Sequence, residues 1–208
     1  MKKSSDRGFT LAEMLVVIGI IGILIAVMAG GFTIVQTLAW KTRSQELVSN
    51  VATALSIYIQ KEGSWPDEFL RSKGNVNNEV CKVLQEAKLL DVTTVKSDGT
   101  INQNSPERLG LFSPWGQRII RKNPKLTASL GALPSNVELQ KHILQFRVDL
   151  NLDGKIDQND ATLGTIPGKG TTIRASAIVW SCGPSGKADG ETGARNPQEN
   201  SQSWSGIQ

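Results

Sequence analysis

Twelve residues, Asp149 to Asp160, read Asp-Leu-Asn-Leu-Asp-Gly-Lys-Ile-Asp-Gln-Asn-Asp and set oxygen-bearing side chains along a tight turn. Asp149, Asn151, Asp153, Asp157 and Asp160 fall at positions 1, 3, 5, 9 and 12 of the twelve-residue calcium-loop template. Gly154 sits at position 6, where the template turns sharply, and Lys155 offers its backbone carbonyl at position 7. A hard dication needs several oxygens converging on one point, and alternate residues of such a loop supply them. Calcium is therefore the cofactor this segment could take. Position 12 is Asp160 where the template has Glu, and the shorter arm weakens two-oxygen ligation. A strand pattern precedes the loop, so it is not half of an ordinary helix–loop–helix pair. The alternative reading is an acidic turn between strands that binds nothing.

Other chemistry is sparse. His142 is the one histidine, and it opens a strand pattern that suits a packed or surface residue. Gly183-Pro184-Ser185-Gly186 lacks the Gly-x-Ser-x-Gly spacing of a nucleophile elbow, and no glycine loop ends in Lys and Ser or Thr. The chain reads as a protein that is not an enzyme. Cys81 and Cys182 lie far apart and belong to no C-x-x-C pair, which argues against zinc. In an oxidising compartment they would form one disulfide closing a long loop; otherwise they are two buried thiols. Five tryptophans could stack on carbohydrate, but no common face is evident, so core or interface use is expected. The formal net charge is +4, half of it in the first eight residues. Too little remains to argue for nucleic acid, and no basic patch is interleaved with aromatics.

The elements that must position these residues follow from periodicity. Leu47, Val48, Val51, Leu55, Tyr58 and Ile59 recur at helical spacing, and Gly63 and Pro66 end the pattern. Residues 63–78 read as a polar loop whose Asn77 or Asn78 caps a short helix from Glu79 to Leu90. Arg118-Ile119-Ile120-Arg121 reads as a strand start after Pro114-Trp115-Gly116-Gln117. Leu144, Phe146, Val148 and Leu150 alternate with polar residues, the period of a half-buried strand, and residues 173–180 alternate likewise. Beyond Cys182 the chain is rich in Gly, Ser, Asn and Gln and reads as a loop or mobile tail. A long helix followed by a small antiparallel sheet is an α+β order.

The N-terminus ties the chain to a membrane. Lys2, Lys3 and Arg7 precede an apolar run from Leu15 to Phe32 that carries no charge. Such a run approaches the roughly twenty residues a bilayer requires. Glu13 at its edge is costly in lipid and calls for a partner. A secretory signal peptide has a shorter apolar core and a small-residue cleavage site after it, whereas this run continues into helical periodicity. One helix from about Phe9 to Lys61 would extend on the order of 80 Å, its first half in lipid (about residues 14–32) and its second half packed on a domain. Gly19, Gly22, Gly30 and Gly31 in it permit close helix packing or a local melt.

Gly8-Phe9-Thr10-Leu11-Ala12-Glu13 before that run closely resembles the signal of type IV prepilins and type II secretion pseudopilins. The resemblance implies a leader of residues 1–8, a cut between Gly8 and Phe9 by a prepilin peptidase, and N-methylation of Phe9. It makes Glu13 the family's assembly glutamate, pairing with the amine of a neighbouring subunit. It implies a pilin-like fold: helix 9–61 on a globular α+β domain, 62–208, with a C-terminal loop. Pro114-Trp115-Gly116-Gln117, Val179-Trp180-Ser181-Cys182-Gly183-Pro184-Ser185-Gly186 and the late Ser203-Trp204 are similar to segments of the major pseudopilin. The final loop is poorer in acids than that family's, with only Asp189, Glu191 and Glu199. The implied function is a structural subunit of a type II secretion or type IV pilus-like filament. The implied partners are other pilins or pseudopilins and an inner-membrane assembly platform. The subunit would sit in the inner membrane with its N-terminus cytoplasmic and its domain periplasmic. The alternative is a membrane-anchored periplasmic binding or catalytic domain behind a prepilin-like anchor.

Overall fold

A computed structural model describes residues 9–127, 129–157, 160, 172–186 and 201–203, and of residues 27–33 the backbone alone. The N-terminal pattern winds into one helix, α1 (Leu11–Glu62), closed where the Gly63 amide reaches the Ile59 carbonyl at 2.9 Å. Two compact units divide the chain inside α1, at Ala39 and Trp40. In the first unit the described apolar side chains, from Leu11 to Ile25, are exposed. Among the described residues, no helix is long and apolar enough to cross a membrane.

In the second unit α1 is amphipathic. Val48, Val51, Ala54, Leu55 and Ile59 recur at three- and four-residue spacing, and all are buried. The first four form the main core with Phe69 of α2 (Asp67–Arg71), with Val80, Cys81 and Leu84 of α3 (Asn78–Glu86), and with alternate residues of a sheet. Asn77 starts α3, its side chain accepting from the Val80 amide at 3.0 Å. This is the expected cap; the helix ends earlier than Leu90, and α2 lies within what reads as polar loop.

The sheet is three antiparallel strands in the order β1 (Gln145–Val148), β2 (Ala177–Ser181), β3 (Ser201–Gln202). Phe146 pairs with Val179, Val148 with Ala177, and Ser181 with Ser201. The other edge of β1 is covered by residues 74–76: the Phe146 amide donates to the Gly74 carbonyl and the Val76 amide to the Leu144 carbonyl, each at 2.8 Å. The expected α+β class is thus the observed one.

Several elements differ from expectation. The segment read as a strand start is α4 (Pro114–Lys122). Pro114 begins it, where a missing N–H costs nothing. Gly116 and Ile120, four apart, face inward, and a Cβ at residue 116 would lie 2.8 Å from the His142 Cβ, so only glycine allows this approach. α4 packs over a second core of Leu109, Phe112, Ile120, Leu139 and Ile143, with Leu139 supplied by α5 (Val137–Gln140). β2 is buried on both faces, not one: Ala177 and Val179 join the main core, while Ile178 and Trp180 pack with Ile156 and Ile173. Ile173 joins no strand but makes a single bridge to Ile156. Part of the expected tail returns to the sheet as β3. Cys81 and Cys182 are buried, and no disulfide joins them. Cys81 lies in the main core and Cys182 outside that cluster, so each thiol is held by its own packing.

Candidate functional site

Two places hold the residues singled out for function: the start of α1 and the acidic turn after β1. At the first, Phe9 is largely exposed, and Gly8 with the rest of the expected leader, residues 1–8, lies outside the described residues. Glu13 Oε2 accepts from the Thr10 amide and from the Thr10 hydroxyl, both at 2.8 Å. The Thr10 Oγ1 in turn accepts from the Glu13 amide at 3.2 Å. This is a capping box: the threonine satisfies an orphan helix N–H, and the glutamate three residues on reaches back to it. Sequence reasoning missed this role of Thr10 and Glu13, although the Thr-x-x-Glu spacing is a signal that could have found it. Glu13 therefore has a partner inside its own chain. A carboxylate offers about four lone-pair directions, so two bonds from Thr10 do not exhaust it.

The acidic turn is built on β1. Asp149 follows Val148, and its amide donates to the Ser176 carbonyl at 3.0 Å. From the other side the Trp65 indole donates to the Asp149 carbonyl at 2.7 Å. Trp65 is itself stacked on Tyr58 of α1 at 6.4 Å. At its far end Ile156 exchanges two backbone hydrogen bonds with Ile173, at 2.8 and 3.0 Å, and buries its side chain against Trp180. The loop is thus fixed to the sheet at both ends.

Between those ends, carboxylates accept from backbone amides. Asp149 Oδ1 accepts from the Asp153 amide at 3.2 Å and Oδ2 from the Gly154 amide at 2.7 Å. Asn151 Oδ1 accepts from the Asp153 amide at 3.1 Å, and Asp153 Oδ1 from the Lys155 amide at 2.9 Å. Asp160 closes the loop: Oδ1 accepts from Leu150 N and Oδ2 from Asp157 N, each at 2.9 Å. Gly154 has φ +82°, the left-handed turn that glycine adopts without a side-chain clash. Asp149 and Asp160 are 2% and 1% exposed. Charged oxygens this deep require several donors or a cation. Arg147, also buried, supplies part of that charge; burial draws its guanidinium below the ordinary value while Asp160 pulls it back up.

The donor set suits a hard cation in type, since every candidate ligand is oxygen. Asp149, Asn151, Asp153, Asp157 and Asp160 all belong to this one loop, with the Lys155 carbonyl. Among the described residues, however, no three acidic, histidine or cysteine side chains are arranged to hold a metal ion. Sequence reasoning missed Trp65, Ile156 and Arg147 as supports of the loop. Trp65 carried no signal, being 84 residues from Asp149.

The remaining candidates are packing residues. His142 is buried between α4 and α5, and burial lowers its pKa. Burial pushes the Cys81 thiol up, which suppresses the reactive thiolate. Asp189, Glu191, Glu199 and Trp204 lie outside the described residues.

The family model of the prokaryotic N-terminal methylation motif matches residues 3–29. The chain carries a prepilin-type methylation signal. That signal covers Gly8, Phe9, the capping box and the exposed apolar start of α1. The chain is also similar to a type IV major pilin protein of Neisseria gonorrhoeae, 26% identical over 118 residues, or 54% of this chain. The chain spans 64% of that pilin's length. No solved structure matches.

Proposed function

We propose that this chain is a structural subunit, a pilin or pseudopilin, of a type II secretion or type IV pilus-like filament. The methylation signal running into an apolar helix with exposed side chains carries this reading. A prepilin peptidase cuts between Gly8 and Phe9. The subunit waits in the inner membrane, N-terminus in the cytoplasm and domain in the periplasm. An assembly platform then moves it into a filament, where apolar helices bury one another and head-to-tail contacts extend an open polymer. Glu13 offers its remaining lone pairs to the amine of a neighbouring Phe9. The similarity to a major pilin supports a non-enzymatic role. Mass spectrometry of the purified chain tests the reading. The expected product lacks eight residues and carries N-methyl-Phe9, and Gly8→Val leaves the longer precursor. An intact N-terminus in the wild-type chain would instead favour a membrane-anchored binding or catalytic domain.

A second proposal concerns calcium at residues 149–160. It rests on the oxygen spacing and on two deeply buried carboxylates in one loop. Asp149, Asn151, Asp153, Asp157 and Asp160 would hold the ion with the Lys155 carbonyl. The bound charge would relieve repulsion among four aspartates. A ligand that binds only the folded chain stabilises it by roughly 2.7 kcal/mol at a hundredfold excess over Kd. The full chain in detergent should melt higher in calcium than in chelator, and Asp153→Ala should abolish the shift. Equal melting in both would leave the turn as a metal-free brace.

A further inference from the structure

The loose ends of the molecule include one surface that the loop, the core and the signal do not use. Trp40, the first residue of the second unit, stands edge-on to Trp115 of α4, ring centroids 6.2 Å apart. The Arg118 guanidinium lies over the Trp40 ring at 5.7 Å. Both tryptophans are half-buried, and Arg118 is exposed. Trp115, Arg118 and Lys122 recur at i, i+3 and i+7 and share one face of α4, opposite buried Gly116 and Ile120. Arg121 and, on α1, Lys41 extend the charge; both are exposed. None of these four cations enters an ion pair among the described residues.

Aromatic rings with an apolar body and a polar N–H collect at the boundary between lipid tails and water. Cations beside them meet the phosphates of anionic lipid there. Sequence position puts Trp40 near that boundary. Trp40 is eight residues past Phe32, the end of the apolar run, and Trp115 and Arg118 lie against its ring. An acidic protein face would also suit four cations, yet it would not explain two tryptophans gathered with them, one of them just past that run in sequence.

We propose that Trp40, Trp115, Arg118, Arg121, Lys122 and Lys41 form a seat for anionic phospholipid headgroups on the domain side of the membrane. It rests on the membrane-anchored reading above. The seat holds the domain against the bilayer before assembly, and the subunit must give up these headgroups to leave. Each cation near an anionic surface strengthens association about fivefold, and salt screens the attraction.

The test uses the full chain in lipid nanodiscs of phosphatidylcholine, alone or with phosphatidylglycerol, each carrying a headgroup nitroxide lipid. Indole N–H signals are followed by nuclear magnetic resonance. The Trp40 and Trp115 signals should broaden far more with phosphatidylglycerol, and added salt should reverse this. Buried Trp180 should not respond. The triple variant Arg118→Gln, Arg121→Gln, Lys122→Gln should weaken headgroup association about a hundredfold, with its other signals unmoved as proof of folding. Equal broadening in both lipids would overturn the seat while leaving the anchor intact. Protection of Trp115 that follows protein density, not lipid charge, would also overturn it, in favour of a second copy. Failure of the chain to enter nanodiscs would overturn the anchored reading and the seat together.

Discussion

The two ends of α1 belong to one uninterrupted helix and solve opposite problems. Near its start, Leu15, Ile18, Ile21 and Leu24 are all exposed. Near its end, Val48, Val51 and Leu55 are fully buried, while Ser49, Asn50 and Thr53 face solvent. The first stretch is apolar all round, and its described side chains are exposed. The second is apolar on one stripe, and the domain covers that stripe. Continuity of a helix therefore says little about where its stability comes from. The late stretch draws it from tertiary packing. The early stretch has its own backbone bonds and the Thr10–Glu13 box.

The sharpest way to break this comparison is to truncate one apolar residue in each stretch. Leu55→Ala should cost about 2–5 kcal/mol through lost burial and the cavity left behind, read as a lower melting temperature of the full chain in detergent. Ile20→Ala should leave that melting temperature where it was. Equal losses would mean that the early stretch packs within the chain after all.

A smaller effect separates the two carboxylate braces. Asp160 Oδ2 accepts from an amide three residues back, as Glu13 Oε2 does. Asp160→Ala removes the acceptor of two half-buried amides and the carboxylate that favours the charged form of Arg147, a loss of about 1–3 kcal/mol in global denaturant unfolding. Thr10→Ala should cost about 1 kcal/mol of helix stability and show only as faster amide exchange at the first turn. Global unfolding of the Thr10 variant should match the parent.

The smallest expected effect is a pH dependence confined to the domain. Burial lowers the His142 pKa below its ordinary 6.5, opposed by Glu138 and reinforced by Lys141. The unfolded chain then binds the proton more readily than the folded one, so stability falls as pH drops through about 6.5. Melting of His142→Gln across that window should be flatter than the parent's. An unchanged slope would assign the acid sensitivity to the carboxylates.

Legibility tracked the range of the interactions. The signal, the apolar run and the stripe on α1 are local patterns, and each is visible in ten or twenty residues. β1 was legible because one face alternates cleanly. α4 was not: Ile119 and Ile120 are β-branched, and the inward stripe is hidden by Gly116, whose value is its lack of a side chain. β3 is two residues long, and its strand state exists only through β2. In the acidic turn the ligand-type residues were legible from spacing. Their supports were not, because Trp65, Ile173 and Trp180 arrive from distant sequence.

The stacking of Tyr58 on Trp65 has an optical consequence. Tyr58 is the chain's one tyrosine, and its ring lies nearly parallel to the indole that holds the Asp149 carbonyl. Light absorbed by the phenol should pass to the indole, so tryptophan emission is expected to dominate in the folded chain. Tyrosine emission should rise as α1 parts from Trp65. The molecule thus reports in two colours whether the helix and the acidic turn are still joined.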